Sequence, residues 1–503
     1  MIMTRQFNNC ADILHAHATN RADHTALYHE SERITYASLE GNVNRFGNLL
    51  KSLGLLENER MVVALPDCPE AVYAFLGGMK CGVRPVLLSP DMPLGSYEFV
   101  FRDAEPKLVI TTVVSEAEKA AARFPIPILC IDDRKYMDLF MQMGKSLSPS
   151  PPAENGLDFL LYSSGSTGDP KGVPHSQSDM MFCAEQYAGK ILEMSEDDVV
   201  LSASKLHFAY GLGNSLIFPL YFGASVILNS RNSGPADIFH LFELIEHLHP
   251  TLFFAVPSLY NMMVKTMDDQ MSFTSIRLCV SAGEALPAGV YHDWKRLTGL
   301  AILDGIGSTE ALHIFISNRT NHAVPGKTGF VVPGYEARII GEDGRDLPCG
   351  LPGTLLIKGP STAPYYWNRP DLTEKTMLAF GWLNTGDMFI EQDGCYAYQG
   401  RIDDMFKSSG VWISPVKIEN ILRDHPAVLE CAVTSCFVEG LLKPLAHVVP
   451  KPGYEKDTGL PQKMRSFVLK RLPACMCPVR FILTEKIPKT ATGKIQRSKI
   501  EST

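Results

Sequence analysis

The sequence predicts an α/β protein with a large N-terminal domain and a small α+β C-terminal domain. Short apolar segments alternate with amphipathic helical segments from about residue 37 to residue 283, which is typical of parallel, doubly wound sheets. Beyond about residue 325 glycine and proline become dense, and short β segments follow. The chain has 503 residues, far more than the ~100–200 of one ordinary domain, so we expect at least two packed units.

The alternating region divides into two series, separated by a Pro/Ser-rich connector at residues 145–155. Helices of the first series are predicted at residues 37–53 and 70–81, and its strands at residues 61–65, 85–89, 107–112 and 127–133. Strands of the second series are predicted at residues 199–204, 224–228, 251–256 and 276–283. We therefore expect two doubly wound αβα subdomains.

A small β-barrel-like unit and a compact α+β unit are predicted to follow. The β unit is expected from segments at residues 334–340, 353–359 and 394–400. In the α+β unit we expect a helix at residues 416–423, a strand region at 427–437 and a helix at 462–472. The predicted domains are therefore residues 1–400 and 401–503.

Charge and composition exclude several classes of protein. The net charge of −8 argues against a nucleic-acid binder. Residues 401–503 contain 17 Lys and Arg against 10 Asp and Glu, a net charge of +7 that leaves −15 for the rest. A basic tail beside an acidic body suggests that the tail meets an anion.

The 12 cysteines lack zinc-site spacing, and the N-terminus lacks an apolar signal segment, so we expect reduced thiols and a cytoplasmic protein. The apolar stretch at residues 216–228 is too short to cross a bilayer.

A glycine-rich segment at residues 162–172 (YSSGSTGDPKG) follows an apolar strand. Glycine lets the backbone approach a ligand closely, successive N–H groups and hydroxyls can bind an anion, and Lys171 adds positive charge. The Walker spacing is absent because Gly172 follows the lysine. The segment is predicted to bind a polyphosphate through Ser163, Ser164, Gly165, Ser166, Thr167, Gly168 and Lys171.

This segment resembles the signature loop of the adenylate-forming superfamily, which includes acyl-CoA synthetases, nonribosomal peptide adenylation domains and firefly luciferases. Four further motifs follow in the family's order, so the resemblance covers nearly the whole chain: residues 304–310 (DGIGSTE), 385–387 (TGD), 400–404 (GRIDD) and 488–494 (PKTATGK). The resemblance implies that ATP activates a carboxylic acid as acyl-AMP with release of pyrophosphate. Coenzyme A then takes the acyl group, and Mg²⁺ is the implied cofactor.

The same resemblance implies roles for the phosphate-side residues. Glu310 is expected to bind Mg²⁺ with help from Thr167, because a hard cation prefers oxygen ligands. Either Thr309 or Thr167 would contact the α-phosphate. Lys494 is the expected main catalytic residue of adenylation, since it would offset the repulsion between the carboxylate and the α-phosphate.

The nucleoside and the second half-reaction engage other residues. Asp387 and Arg401 resemble the pair that holds the ribose hydroxyls. Asp403 matches the hinge about which the C-terminal domain of the family rotates. Asp304 and residues 281–284, which include Glu284, are expected to flank adenine. The ATP/AMP site is also expected to include Gly305, Ile306, Gly307 and Ser308, and the coenzyme A site Lys407, Ser408, Ser409, Gly410 and Trp412.

Two segments, residues 205–214 (KLHFAYGLGN) and 311–319 (ALHIFISNR), resemble the benzoate-CoA ligase subgroup. They imply a flat pocket for a benzoate-type acid, in which Tyr210 stacks on the ring and His313 bonds the carboxylate or a ring substituent. The subgroup usually has Phe where this chain has His207, so a catalytic or substrate-reading histidine and a packed core histidine both remain open. The expected lining is His207, Ala209, Tyr210, Ala282, Gly283, Gly307, His313 and Ile314.

Three alternatives to an aryl-CoA ligase remain: an enzyme that loads an aryl acid onto a carrier protein, a medium-chain acyl-CoA synthetase, and an inactive nucleotide-binding homologue. The presence of Lys494, Glu310 and Asp387 argues against the inactive homologue. The expected partners are a small aryl acid and coenzyme A, with no nucleic acid and no membrane, and the expected state is a monomer or a homodimer.

Overall fold

The structure is a computed structural model that describes residues 7, 9–151, 156–163, 169–231, 237–268, 271–408, 411–438, 441–489 and 495–500. Within these ranges no helix combines the length and the apolar character that a bilayer crossing requires. We refer to the residues up to Arg401 as the body and to those from Ile402 onwards as the tail.

The body and the tail are both built from short strands and helices. In chain order the strands are β1 (Thr25–His29), β2 (Glu32–Thr35), β3 (Arg60–Val63), β4 (Arg84–Leu87), β5 (Leu108–Thr111), β6 (Ile128–Cys130), β7 (Phe159–Ser163), β8 (Lys171–His175), β9 (Val199–Ser202), β10 (Ser225–Leu228), β11 (Leu252–Ala255), β12 (Leu278–Ser281), β13 (Ile302–Gly307), β14 (Ile314–Ser317), β15 (Phe330–Val331), β16 (Glu336–Ile340), β17 (Gly353–Lys358), β18 (Met377–Leu378), β19 (Trp382–Gln392), β20 (Cys395–Arg401), β21 (Phe406–Ser408), β22 (Val411–Ile413), β23 (Val428–Val438), β24 (Leu441–Pro450) and β25 (Arg480–Leu483). The helices are α1 (Cys10–Asn20), α2 (Tyr36–Ser52), α3 (Pro69–Lys80), α4 (Leu94–Ala104), α5 (Glu116–Ala121), α6 (Arg134–Gln142), α7 (Gln177–Cys183), α8 (Ala209–Leu212), α9 (Phe218–Phe222), α10 (Ile238–Leu248), α11 (Pro257–Thr266), α12 (Ala288–Thr298), α13 (Pro370–Thr376), α14 (Pro415–Arg423) and α15 (Leu460–Leu469).

The first sheet of the body has the strand order β6-β5-β3-β4-β7-β8. Its strands run parallel except for β8, which pairs antiparallel with β7. Every residue of β4 and β5 is buried, as expected for strands covered on both faces. The four strands predicted for the first series are confirmed, and each ends one to three residues earlier than predicted.

The connector at residues 145–155 is not the boundary between the two sheets, contrary to the prediction. Strand β7 follows the connector, yet it pairs with β4, with Val86 opposite Leu160. The start of the connector lies on α2, where the Asn44 side chain donates to the Lys145 carbonyl at 2.9 Å. The chain therefore returns across α2 to the free edge of β4, so the first sheet extends as far as β8.

The second sheet has nine strands in the order β15-β14-β13-β12-β11-β9-β10-β1-β2. Strands β9 to β13 run parallel to one another, so their carboxyl ends meet at one edge, whereas β14 pairs antiparallel with β13. The N-terminal hairpin β1–β2 also belongs to this sheet, with Leu27 opposite Val226 of β10. This long-range pairing does not appear in the sequence prediction.

Helices α2 and α3 pack closely over the first sheet. Helix α2 begins at Thr35, whose side chain accepts from the Ser38 N–H. A Cβ on Gly77 of α3 would lie 2.8 Å from the Val43 carbonyl oxygen of α2, so glycine is required at this crossing. The side chain of Phe46 is fully buried here, and burial of an aromatic side chain contributes roughly 2–3 kcal/mol.

The remaining units are antiparallel or mixed. Strands β16 to β20 form a five-stranded antiparallel sheet, bridged to the residues before β15 by the Gly329–Tyr396 pair. In the tail, β23, β24 and β25 form a sheet that packs with α14 and α15 around a core containing Ile418, Val433 and Met464. The α+β character of the tail and its two predicted helices are confirmed, whereas the boundary at residue 400 stays a prediction.

Candidate active site

The predicted phosphate loop connects two antiparallel strands. Strand β7 ends at Ser163 and β8 begins at Lys171, and these two residues are paired. Residues 164–168, which include Thr167, lie outside the described residues. The loop therefore closes a hairpin, whereas a Walker loop runs from a strand into a helix.

Lys171 and Glu310 meet at one tyrosine. The Tyr366 hydroxyl donates to Glu310 Oε1 at 2.7 Å, and Lys171 Nζ lies 5.3 Å from the centre of the Tyr366 ring. Burial raises the pKa of Tyr366, the Glu310 carboxylate raises it further, and Arg401 acts in the opposite direction. A cation, a carboxylate and a neutral phenol thus converge where the sequence predicts phosphate chemistry.

The turn that carries Thr309 and Glu310 follows β13 directly. A Cβ on Gly307 would lie 2.5 Å from the His313 carbonyl oxygen, so the strand can approach the returning chain only with glycine there. Leu312 has φ of 65°, a left-handed conformation that costs a non-glycine residue energy. His175 of β8 supports the turn, because its Nε2 donates to the Thr309 carbonyl at 2.7 Å.

Asp304 and Ser281 form a buried polar pair at the edge where β12 ends: Ser281 is the last residue of β12 and lies opposite Asp304, the third residue of β13. Asp304 Oδ1 and Ser281 Oγ are both buried without a hydrogen-bond partner among the described residues. Burial raises the pKa of Asp304 well above its usual range, although the N–H groups of Leu286 and Gly305 lower it. Because a buried polar atom without a partner is costly, this edge fits a ligand that supplies hydrogen bonds.

Other residues predicted for the ATP/AMP site follow Asp304 and Ser281 along the chain. Gly305 and Ile306 lie on β13, opposite Ser317 and Ile316 of β14. Ser308 Oγ is also buried without a partner among the described residues. Glu284 follows β12 and is partly buried.

Asp387 and Arg401 lie opposite each other on β19 and β20. Arg401 Nη1 lies 3.2 Å from Asp387 Oδ1 and donates to the Thr385 carbonyl at 2.8 Å. Gly386 has φ of 68°, and a Cβ there would lie 2.7 Å from Arg401 Nη2. The structure therefore brings together the pair predicted to hold the ribose, and explains the glycine between Thr385 and Asp387.

His313 and Tyr210, predicted for the acid pocket, lie in one aromatic cluster. The His313 ring is 5.6 Å from Tyr210, 5.4 Å from Tyr187 and 4.5 Å from Phe218, measured between ring centres. Its Nε2 lies 3.2 Å from Asn214 Oδ1. Burial lowers the pKa of His313 to about 3, so the imidazole is neutral near pH 7.

The other predicted lining residues lie on adjoining elements. Ala209 begins α8, and a single π-helical turn, Gly213–Ile217, follows that helix. Ala282 and Gly283 follow β12, where Gly283 adopts φ of 92°. Ile314 begins β14, and a Cβ on Gly305 would meet its side chain at 3.1 Å.

His207 lies in the loop between β9 and α8, three residues before Tyr210. Burial, with a contribution from Lys205, lowers the pKa of His207 to about 3. The loop is fixed from both sheets: Asp67 Oδ1 accepts from the Leu206 N–H at 2.9 Å, and Lys205 Nζ donates to the Asn229 carbonyl at 2.6 Å. The histidine is therefore a neutral side chain on a firmly held loop.

The predicted hinge and coenzyme A residues lie at the start of the tail. Asp403 is exposed within a single 3₁₀ turn, Ile402–Asp404. Lys407 pairs with Trp412 across the β21–β22 hairpin, with Nζ 4.8 Å from the ring centre, and Ser408 ends β21. Ser409, Gly410 and Lys494 lie outside the described residues.

Two family models of known proteins match this chain. Residues 14–367 match the family described as AMP-binding enzyme, and residues 417–494 match the AMP-binding enzyme C-terminal domain. The chain belongs to the AMP-binding enzyme family. The resemblance inferred from the motifs is therefore confirmed, as are the large and small domains expected of this family.

Within the AMP-binding enzyme family, the chain is similar to several aryl-CoA ligases. The benzoate–CoA ligase of Thauera aromatica is 39% identical over 494 residues, which cover 96% of this chain and 93% of that protein. A benzoate CoA ligase structure from Burkholderia xenovorans LB400 superposes with a TM-score of 0.90 at 37% identity, covering 98% of this chain and 99% of that one. The anthranilate CoA ligase AuaEII in complex with anthranoyl-AMP superposes with a TM-score of 0.91 at 33% identity, covering 98% and 96%.

Several site residues of this AMP-binding enzyme escaped the sequence analysis. His175 and Tyr366 contact predicted residues, but neither belongs to a motif that we used. Asn214 ends the segment 205–214, yet no sequence pattern assigned it a role. The aromatic run at residues 365–367 (YYW) was a possible signal for Tyr366. No comparable local pattern marks Asp67, whose partner Leu206 lies 139 residues further along the chain.

Proposed function

We propose that this chain is an ATP-dependent, AMP-forming aryl-CoA ligase that activates a benzoate-type acid and forms its coenzyme A thioester. The observation that carries the proposal is the shared turn after β13. On one side Gly307 lies against His313 of the aromatic cluster, and on the other Glu310 binds Tyr366 beside Lys171. An acid held in the cluster would thus reach the same turn as the phosphates of the nucleotide.

The chemistry needs two anions brought together and their charge offset. In the first half-reaction a carboxylate oxygen attacks the α-phosphorus of ATP. The bond between the α-phosphorus and the oxygen that bridges it to the β-phosphorus breaks, and pyrophosphate leaves. We assign Lys171 to the departing phosphates and Lys494 to the carboxylate and α-phosphate. Thr309 is assigned to the α-phosphate, and Asp387 with Arg401 to the ribose, which positions the attack in line.

In the second half-reaction the thiol of coenzyme A loses its proton to solvent and the resulting thiolate attacks the acyl carbon, while AMP leaves with the electron pair of the broken C–O bond. We assign pantetheine contacts to Lys407 and Trp412 of the β21–β22 hairpin, together with Ser408, Ser409 and Gly410. In this structure Lys407 Nζ lies 2.5 Å from Glu342 of the body. Contact with coenzyme A therefore requires that ion pair to open, which accords with a tail that turns at Asp403.

Mg²⁺ fits the donor set at Glu310, because Tyr366 takes only one carboxylate oxygen, Oε1, in a hydrogen bond. Glu310 and Thr167 would hold the ion, which would neutralise charge on the phosphates of the nucleotide.

The aromatic cluster supports a ring-bearing acid. Tyr187, Tyr210 and Phe218 surround a histidine that burial keeps neutral, so the pocket presents π surfaces and no full positive charge. Burying an aryl ring contributes about 25 cal/mol per Å² of apolar surface. A flexible medium-chain acid would lose more conformational entropy for a comparable area, so we rank the medium-chain synthetase lower.

A substrate panel tests the proposal directly. The chain would be incubated with ATP, Mg²⁺ and benzoate, its hydroxy and amino derivatives, or medium-chain fatty acids, while pyrophosphate exchange and thioester formation are followed. We expect exchange with aryl acids and an aryl-CoA product. Exchange at background with every acid would refute the proposal and favour an inactive homologue, whereas thioester on a carrier protein but not on coenzyme A would favour a carrier-loading enzyme.

A further inference from the structure

The linker between body and tail is anchored by an arginine–aspartate pair at each end. On the body side Arg401 pairs with Asp387, and both residues belong to the five-stranded sheet. On the tail side Arg497 Nη1 donates to Asp404 Oδ2 at 2.8 Å. Between Arg401 and Asp404 lie Ile402 and Asp403, with Asp403 exposed.

Arg497 is itself anchored in the core of the tail. Its Nη2 donates to both carboxylate oxygens of Glu419, at 2.7 and 2.9 Å, and the side chain of Glu419 is 1% exposed. Glu419 also accepts from the Val433 N–H at 2.8 Å. The planar guanidinium can donate hydrogen bonds to two carboxylates in different directions, whereas an ammonium group lacks this fixed geometry.

The contacts of the linker region fall into two kinds. The Ser414 hydroxyl donates to the Gln399 carbonyl, and Lys407 pairs with Glu342, so these bonds join the tail to the body across the linker. A rotation of the tail must break them. The Arg497–Asp404 bond lies wholly within the tail, and so it can persist in every orientation.

We propose that Arg497 is a positioning residue that fixes Asp404 to the tail and so confines the rotation to Ile402 and Asp403. The proposal rests on the proposed function, in which the tail turns at Asp403 and carries Lys494 to the nucleotide. Arg497 follows Lys494 by three residues in the sequence and is itself bound to Glu419. A short pivot restricts the orientations in which that lysine is presented.

The Asp404→Asn substitution tests this role with least risk to folding. It weakens the ion pair at the linker but leaves Arg497 bound to Glu419, whereas removing Arg497 would take both of its hydrogen bonds away from the buried Glu419 carboxylate. Asp457→Asn is the matched control, because Asp457 pairs with Lys463 at 2.7 Å elsewhere on the same tail, and its side chain is 25% exposed against 28% for Asp404. Asp404→Glu keeps the charge and serves as the rescue variant.

Trypsin cleavage after Arg401 reports the linker without requiring activity. If the Arg497–Asp404 ion pair confines the pivot, the linker of the Asp404→Asn variant should open more often. Trypsin cleavage should then be about fivefold faster, because its rate follows the population of the open form. The Asp457→Asn and Asp404→Glu variants should cleave at nearly the wild-type rate. Equal cleavage rates for Asp404→Asn and wild type would overturn the proposal.

Kinetics provide the second readout. The substrates are expected to bind the body, so Asp404→Asn should lower kcat of adenylation about three- to tenfold and leave KM for ATP and the acid within about twofold. A change in KM with unchanged kcat would contradict a positioning role. If the wild type made no aryl-CoA at all, the proposed function would fail, but the trypsin result would still decide whether Arg497 confines the linker.

Discussion

The Asp67→Asn substitution probes the buried carboxylate that ties the first sheet to the His207 loop. Asp67 is 2% exposed and accepts from the Leu206 N–H at 2.9 Å. Burial raises its pKa from 3.8 to about 6, although Lys205 and the Leu206 N–H lower it. Asparagine keeps the acceptor and the shape but removes both the charge and the titration.

The sign of the effect follows from proton linkage. Between about pH 4 and pH 6 the folded chain keeps a proton on Asp67 that the unfolded chain has lost, so the free energy of unfolding falls as pH rises through this window. With a pKa of 3.8 unfolded and about 6 folded, this loss is roughly 1.6 kcal/mol at about pH 5 and roughly 3 kcal/mol at about pH 7.5. Relative to wild type, the asparagine variant should therefore gain roughly 1.4 kcal/mol between these two pH values.

Urea unfolding of both proteins at about pH 5 and pH 7.5 measures this difference. A stability difference between wild type and Asp67→Asn that is the same at both pH values would refute the reasoning, because it would mean that Asp67 does not titrate in this range. Asp67→Ala gives a second measurement. This variant leaves the Leu206 N–H without its acceptor, which costs about 1–3 kcal/mol in the folded loop. If that whole cost falls on the acid-binding conformation of the His207 loop, KM for the aryl acid should rise about 5- to 150-fold while KM for ATP stays near wild type.

Three further substitutions test the assigned roles. Lys494→Ala should reduce adenylation ~10²–10³-fold yet retain thioester formation from preformed acyl-AMP, and equal loss in the two assays would argue against separate roles for the tail in the two steps. Asp403→Pro should slow thioester formation more than adenylation, because proline stiffens the pivot; an unchanged ratio of the two rates would contradict this. Asp387→Ala should raise KM for ATP about tenfold or more through lost hydrogen bonds, with KM for the acid unaffected, as initial-rate kinetics would show.

The sequence predicted the elements of the fold well, because helix and strand periodicity are local properties. The helix expected at residues 37–53 is α2, Tyr36–Ser52, and the strand expected at residues 251–256 is β11, Leu252–Ala255. The connector was misinterpreted because Pro and Ser mark an irregular segment but not the sheet to which the next strand returns. The same limitation concealed the pairing of β1 with β10, which joins residues about 200 positions apart.

The sequence by itself determined the order of the motifs and hence the family, since glycine, lysine and carboxylate spacing within each motif is written along the chain. Only the tertiary structure decided which side chains complete the site: Tyr366 bonds Glu310, His175 bonds the Thr309 carbonyl, and Asp67 bonds the Leu206 N–H next to His207. It also decided that the pKa of His313 falls to about 3. The reason is physical, because burial and long-range hydrogen bonds depend on the packing of distant segments, and no local pattern of residues encodes that packing.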